Sequence, residues 1–297
     1  MGVDVRSRGA VNIDLRHIGL LGAAYVKSTM TGGRGIAFLA LFALLGGIIA
    51  LVIINPMMEM MALVQAQFDA EVADALSPVV SWWIGGDGPT DPRVAHLLMD
   101  KPAIISAILV ILTGFMPFVT VAASANQLSR DIANKGLRYL LLRTERINIL
   151  MSRFLGAWFV VSSSTFVLVM SVGIYVGAAF DYVGFGDAVL WSLQGWGALT
   201  WVALPYVGLC SFISVAVPVP AVAGILAIVT TGVMPLMLNK LASEFNADWI
   251  ARIDPWGWKY HMLDPTFGDV AVAGAVLAVF ALIPLSLAAV VFGRRNL

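Results

Sequence analysis

Six stretches of this chain run without a charged side chain for about as long as a helix needs to cross a hydrocarbon layer, and this constrains the fold most. They cover 36–58, 103–125, 154–180, 188–217, 221–239 and 270–292. A bilayer core about 30 Å thick takes about 20 helical residues, and inside it every backbone polar group must be satisfied within the segment. The pattern predicts an all-α polytopic membrane protein with six transmembrane helices. Composition agrees, since 12% of residues are charged and 60% hydrophobic, against about 25% charged in an ordinary soluble domain.

Lysine and arginine set the orientation, because cytoplasmic loops retain them. Thirteen of the 18 fall before residue 36, within 126–153, or at Arg294 and Arg295. The other five, Arg93, Lys101, Lys240, Arg252 and Lys259, lie in 59–102 and 240–269, segments rich in acids and tryptophan. Both termini are therefore expected in the cytoplasm. Within 1–35, Leu15, Ile18, Leu21 or Gly22 and Tyr25 form a helical stripe beside Arg16, His17 and Lys27, which predicts an interfacial helix ahead of the first span. Met61, Val64, Phe68, Val72 and Leu76 make a similar stripe in the first outer segment. Pro218-Val219-Pro220 reads as a tight inner turn, and Asp254-Pro255-Trp256-Gly257-Trp258 as a helix breaker in the second outer segment.

The connector 126–153 is the part of the chain best placed to meet a soluble partner. It carries Arg130, Lys135, Arg138, Arg143, Arg146 and Arg153. Leu137, Leu140 and Leu141 recur at helical spacing, as do Ile147, Leu150, Met151 and Phe154. Helices with one apolar face at a bilayer surface lie in the interface or offer a ridge to a groove on another protein.

In order, this connector reads Asp131, Gly136, Leu140 to Leu142, Arg143 and Arg146, then Arg153-Phe154-Leu155-Gly156. It resembles the permease subunit of ATP-binding-cassette (ABC) transporters of the type-2 exporter class. There an acidic residue, a glycine, a leucine-rich turn and a basic patch precede a basic residue that opens the third span. The chain departs from that pattern at Asp131 (usually Glu), Leu137 (usually Thr) and Thr144-Glu145 (where a Pro is usual).

The resemblance implies an N-terminal elbow helix within 1–35 and a six-span permease domain over 36–297. It also implies a cytoplasmic coupling helix between spans two and three, formed by Asp131, Gly136, Leu137, Arg138, Leu140, Leu141 and Arg143. Short re-entrant or interfacial helices are implied before the last span. Two permease copies, as a homodimer or pseudo-dimer, would pair with two cytoplasmic ABC ATPase subunits that hold ATP and magnesium. Spans two and five would line the axis, making Met116, Pro117, Phe118, Met234, Pro235 and Met237 candidates for a translocation path. Such a surface suits an apolar, amphipathic or peptide-like substrate. The setting implied is a bacterial cytoplasmic (inner) membrane, with a periplasmic accessory protein as a further partner.

Other readings narrow on what the residues lack. No span holds Asp, Glu, Lys, Arg or His at its centre, which weighs against a proton- or sodium-coupled carrier. No phosphate-binding loop of the G-x-x-x-x-G-K-[ST] kind is present, so ATP hydrolysis is expected on a partner and this chain is not read as an enzyme. His17, His96 and His261 fall in separate segments, and Cys210 lies in an apolar run. No cofactor, metal centre, disulfide or nucleic-acid partner is expected. A polytopic membrane enzyme using His96, His261 and the outer acids, or an anchor subunit of another complex, are the alternatives.

Overall fold

A computed structural model of the chain describes residues 13–31, 42, 46, 103–133, 137–179, 184–245, 247–251, 253–264 and 266–295. Among them the regular elements are all helical. They are α1 (Leu15–Thr31), α2 (Ala103–Ser124), α3 (Ser129–Ala133), α4 (Leu137–Leu141), α5 (Arg146–Ala179), α6 (Phe185–Ala216), α7 (Pro220–Phe245), α8 (Asp248–Ala251), a 3-10 segment (Pro255–Leu263) and α9 (Phe267–Arg294). Five helices, namely α2 with its continuation, α5, α6, α7 and α9, are long and apolar enough to cross a membrane. They make this a multi-pass α-helical membrane protein. Of the expected first span only Phe42 and Gly46 are described: Phe42 is buried among α2, α5 and α6, and Gly46 lies against Leu168 of α5. The remainder of that span, the segment 59–102 with His96, and Gly136 lie outside the described residues.

Helix α6 is the centre of the bundle, packed against α2, α5, α7, α9 and the 3-10 segment. Between apolar helices in lipid, close packing replaces the hydrophobic drive, and small residues permit it. Gly208 of α6 shows the effect, since a Cβ there would sit 2.6 Å from the carbonyl oxygen of Ala281 in α9. Helix α5 packs on α6 through Gly173, which faces Ser192 and Ala188. The hydroxyls of α5 mostly bond within their own helix, as Ser164 to Val160 O (2.8 Å) and Thr165 to Val161 O (2.8 Å). Ser162 instead reaches Thr200 of α6 at 3.1 Å, and Trp158 and Trp196 donate across the same seam.

Several boundaries differ from the sequence reading. Helix α5 begins at Arg146, so Ile147, Leu150, Met151 and Phe154 are its first turns rather than a separate surface helix. They face the interior with Val207, Leu285 and Phe292. At 34 residues α5 is about 51 Å long, well beyond the bilayer core. The helix runs through Arg153 because that charge is neutralised by Asp131 at 2.6 Å. Helix α7 likewise continues to Phe245, past Lys240, whose ammonium pairs with Glu244 one turn on at 3.9 Å.

The expected stripe of α1 forms, with one exception. Ile18 is buried and Leu21 and Tyr25 pack against α5, while Leu15 faces outward. Asp14 caps the helix, its Oδ1 accepting from the backbone N–H groups of Arg16 (2.9 Å) and His17 (3.3 Å). Its Oδ2 meets His17 Nδ1 at 2.5 Å. These bonds, the His17 side chain first, hold the Asp14 carboxyl below its ordinary range.

Candidate functional site

One end of the bundle gathers the close of α2, all of α3 and α4, the start of α5, the ends of α6 and α9, and α1. A chain of polar contacts ties these pieces together. Arg153 of α5 pairs with Asp131 of α3, and its guanidinium lies 4.7 Å from the centroid of the Tyr25 ring on α1. Gly156 makes this possible, because a Cβ there would come within 2.6 Å of the Tyr25 ring. The buried Gln127 amide, oriented so that its nitrogen donates to Arg153 O (3.0 Å), accepts from the Ser211 N–H (3.3 Å) and hydroxyl (2.5 Å) on α6.

Arg146 is a second tie. Its guanidinium donates to the carbonyl oxygens of Phe292 (2.7 Å), Gly293 (3.1 Å) and Arg295 (2.7 Å), which are the unpaired acceptors at the end of α9. Arg295 in turn donates to Val215 O of α6. Charge-assisted bonds of this kind contribute about 1.5 to 3 kcal/mol each when buried, and these are only partly so. Arg146→Ala is therefore expected to fray the last turn of α9, with an overall loss of about 2 to 3 kcal/mol. Hydrogen exchange should show lost amide protection over 290–295 relative to the parent chain.

The apolar residues of the connector divide in a way their spacing did not indicate. Leu137 is 1% exposed and belongs to the core with Leu128, Ile149 and Leu150. Leu140 and Leu141 are half-buried against the same core. The side chains that project are Tyr139, 77% exposed, and Leu142, 84% exposed. Arg130 and Arg143 are exposed nearby in sequence, and Leu141, Arg143, Thr144, Glu145 and Arg146 line an open depression of about 580 Å³. The side chain of Arg138 lies outside the described residues. The leucine pattern therefore marked the face that holds this corner to the bundle. Tyr139 was passed over, and Leu142 counted only as part of a leucine run; both stand off the 137, 140, 141 stripe, which is the signal that was available.

The candidate path residues also divide. Met116, Pro117 and Pro235 are interior, with Met116 Sδ 3.9 Å from the Thr165 hydroxyl, so in this conformation they pack the helices together. Phe118, Met234 and Met237 are exposed. Phe118 lies beside α7, where a Cβ on Gly232 would be 3.5 Å from its ring.

Between the helices, the 3-10 segment and its N-cap residue bury two ionisable side chains, Lys259 and Asp254. The Lys259 ammonium lies 3.6 Å from the Trp256 ring centroid and 4.8 Å from that of Tyr260. Residues three apart eclipse in a 3-10 helix, which puts Lys259 directly over Trp256. The sequence places Asp254 and Trp256 in a helix breaker and Trp256 among interfacial aromatics, which does not show this stacking. Among the described residues no group of three or more His, Cys, Asp or Glu could hold a metal ion.

No family model matches the chain, and no curated protein matches it. The fold defines a multi-pass helical membrane protein with a basic, partly apolar projection at one end and two buried ionisable side chains, Asp254 and Lys259, between its helices.

Proposed function

We propose that this chain is the permease subunit of an ATP-driven transporter of the type-2 ABC exporter class, with ATP hydrolysed by a separate cytoplasmic subunit. The observation that carries the reading is the corner formed by α3 and α4. Two large apolar side chains, Tyr139 and Leu142, are exposed on and just after α4, with Arg130 and Arg143 exposed nearby in sequence, and the corner is held to the bundle by Asp131–Arg153 and by Leu137. A surface so built suits a protein groove with an acidic rim, and α5 extends far enough beyond a bilayer core to carry it clear of the headgroups. The 13-to-5 division of basic residues supports placing that corner in the cytoplasm.

In this reading α1 is the elbow helix, the stretch around Phe42 completes a sixth span, and α3 with α4 is the coupling element. Two copies meet along α2 and α7, with two ATPase subunits below and an inner-membrane setting. Phe118, Met234 and Met237 offer an adaptable apolar wall to an amphipathic or peptide-like substrate. Co-expression with a cassette ATPase encoded beside the chain should yield a complex whose mass fits two permeases and two ATPases. Cysteines at Leu142 and Phe245, both exposed, should label from the cytoplasmic and outer faces respectively. A single-copy complex, or labelling of both positions from one face, would overturn the reading.

A further inference from the structure

The 3-10 segment reaches deep between the helices. Trp256 packs edge-on against Phe118 of α2, ring centroids 6.3 Å apart, at a point about 22 Å along α2 from its outer start. The segment also packs on α6, the helix that carries Tyr206. Asp254 Oδ2 and the Tyr206 hydroxyl are both buried without a hydrogen-bond partner. Asp254, the N-cap of the nine-residue segment, and Lys259 within it form no salt bridge with each other.

We propose that Asp254 and Lys259 form a protonation-controlled latch that holds the Trp256 end of this segment against Phe118 of α2. A buried carboxylate with one unpartnered oxygen is costly when charged and far less so when neutral. The ammonium of Lys259 has two ring faces as its compensation, which replace only part of its hydration. Both groups are accordingly displaced toward neutrality. Burial pushes the Asp254 carboxyl up to about 6, against the opposing pull of the Trp256 backbone N–H and the Lys259 charge. Burial brings the Lys259 ammonium down to about 7, against the pull of Asp254.

The other charged or titratable groups on the packed elements are few. Helix α2 has none; α6 has Asp187 in its first turn, with Tyr206 and Cys210; α9 has Asp269, bonded to the Thr266 hydroxyl, and Arg294 at its far end. The segment itself adds Tyr260 and His261.

The two shifts act on opposite limbs of a pH profile. Asp254 has a raised value, so its contribution to docking is complete below about 3.8 and is lost as pH rises through about 6. Lys259 has a lowered value, so its contribution is complete above about 10.5 and is lost as pH falls through about 7. Docking is weakest between about pH 6 and 7 and tightens on either side.

The test is a spin-label distance measurement in nanodiscs between cysteines at the exposed positions Ile253 and Val279, in a Cys210→Ala background, at pH 5, 6.5 and 9. It needs neither ATP nor a partner, so its outcome is separate from that of the transport reading. The displaced population should be largest at pH 6.5, falling roughly fivefold at pH 5 and roughly fiftyfold at pH 9. Asp254→Asn should flatten the acid limb, Lys259→Met the alkaline limb, and His261→Gln should leave both. The same distances at all three pH values in the doubly labelled parent would overturn the proposal even where a variant fails to fold, as would an acid limb that survives Asp254→Asn.

Discussion

On the transporter reading proposed above, replacing Tyr139 and Leu142 together with aspartate is expected to release the partner ATPase while the chain still reaches the membrane in normal yield. Each is mostly in solvent in the isolated chain, so losing it costs the folded permease little. In a groove the account reverses. Burying one large apolar side chain contributes about 1.5 to 3 kcal/mol, whereas an exposed ion pair contributes about 0 to 1 kcal/mol. Losing two such contacts removes about 3 to 6 kcal/mol, a hundredfold or more in Kd. The added carboxylates would also face an acidic rim. Arg143→Ala should weaken binding only a few-fold.

Leu137→Asp provides the contrast, because that side chain is interior and a buried carboxylate there should abolish expression of folded protein. Co-purification with the ATPase, scored against membrane yield, reads all three. Were Tyr139 and Leu142 seated in lipid instead, the double variant would keep its ATPase and lose stability and yield in the membrane. That result would remove this corner as the coupling surface.

The second large effect is expected at the crossing of α6 and α9. In Gly208→Ala the new Cβ would lie 2.6 Å from Ala281 O and 3.2 Å from Ala281 Cα, backbone atoms that cannot rotate away. Relief requires α9 to move, and forced overpacking of this kind costs about 1 to 3 kcal/mol. Gly197→Ala on the same helix meets nothing within 4 Å, so it should gain up to about 1 kcal/mol from helix propensity. The two variants should differ in sign, with detergent melting temperatures roughly 5 to 10 °C apart. Equal melting temperatures would mean that α6 and α9 are not in contact at Gly208.

Much of the architecture was legible because membrane insertion depends on local sequence. An uncharged run long enough to span must be a helix or a barrel strand, so α2, α5, α6, α7 and α9 follow from 103–125, 154–180, 188–217, 221–239 and 270–292 to within a few turns. The misplaced ends have one cause. Charge was read as the limit of a helix at Arg153 and Lys240, and in the structure both helices run past it, Arg153 paired with Asp131 and Lys240 exposed beside Glu244. Spacing alone also could not say which neighbour a stripe would find. Leu137 met the core of its own chain, leaving Tyr139 and Leu142 outside.

By itself, then, the sequence determined a multi-pass helical chain with its basic connectors on one side, because the hydrophobic length of a span and the bias of Lys and Arg are properties of consecutive residues. Only the tertiary structure decided that Asp131 joins Arg153 over Tyr25, that Arg146 holds the end of α9, and that Asp254 and Lys259 are buried, with Lys259 over Trp256. Each of these depends on residues distant in sequence or on how a short turn winds, and the cost of a buried charge is set by what surrounds it in space.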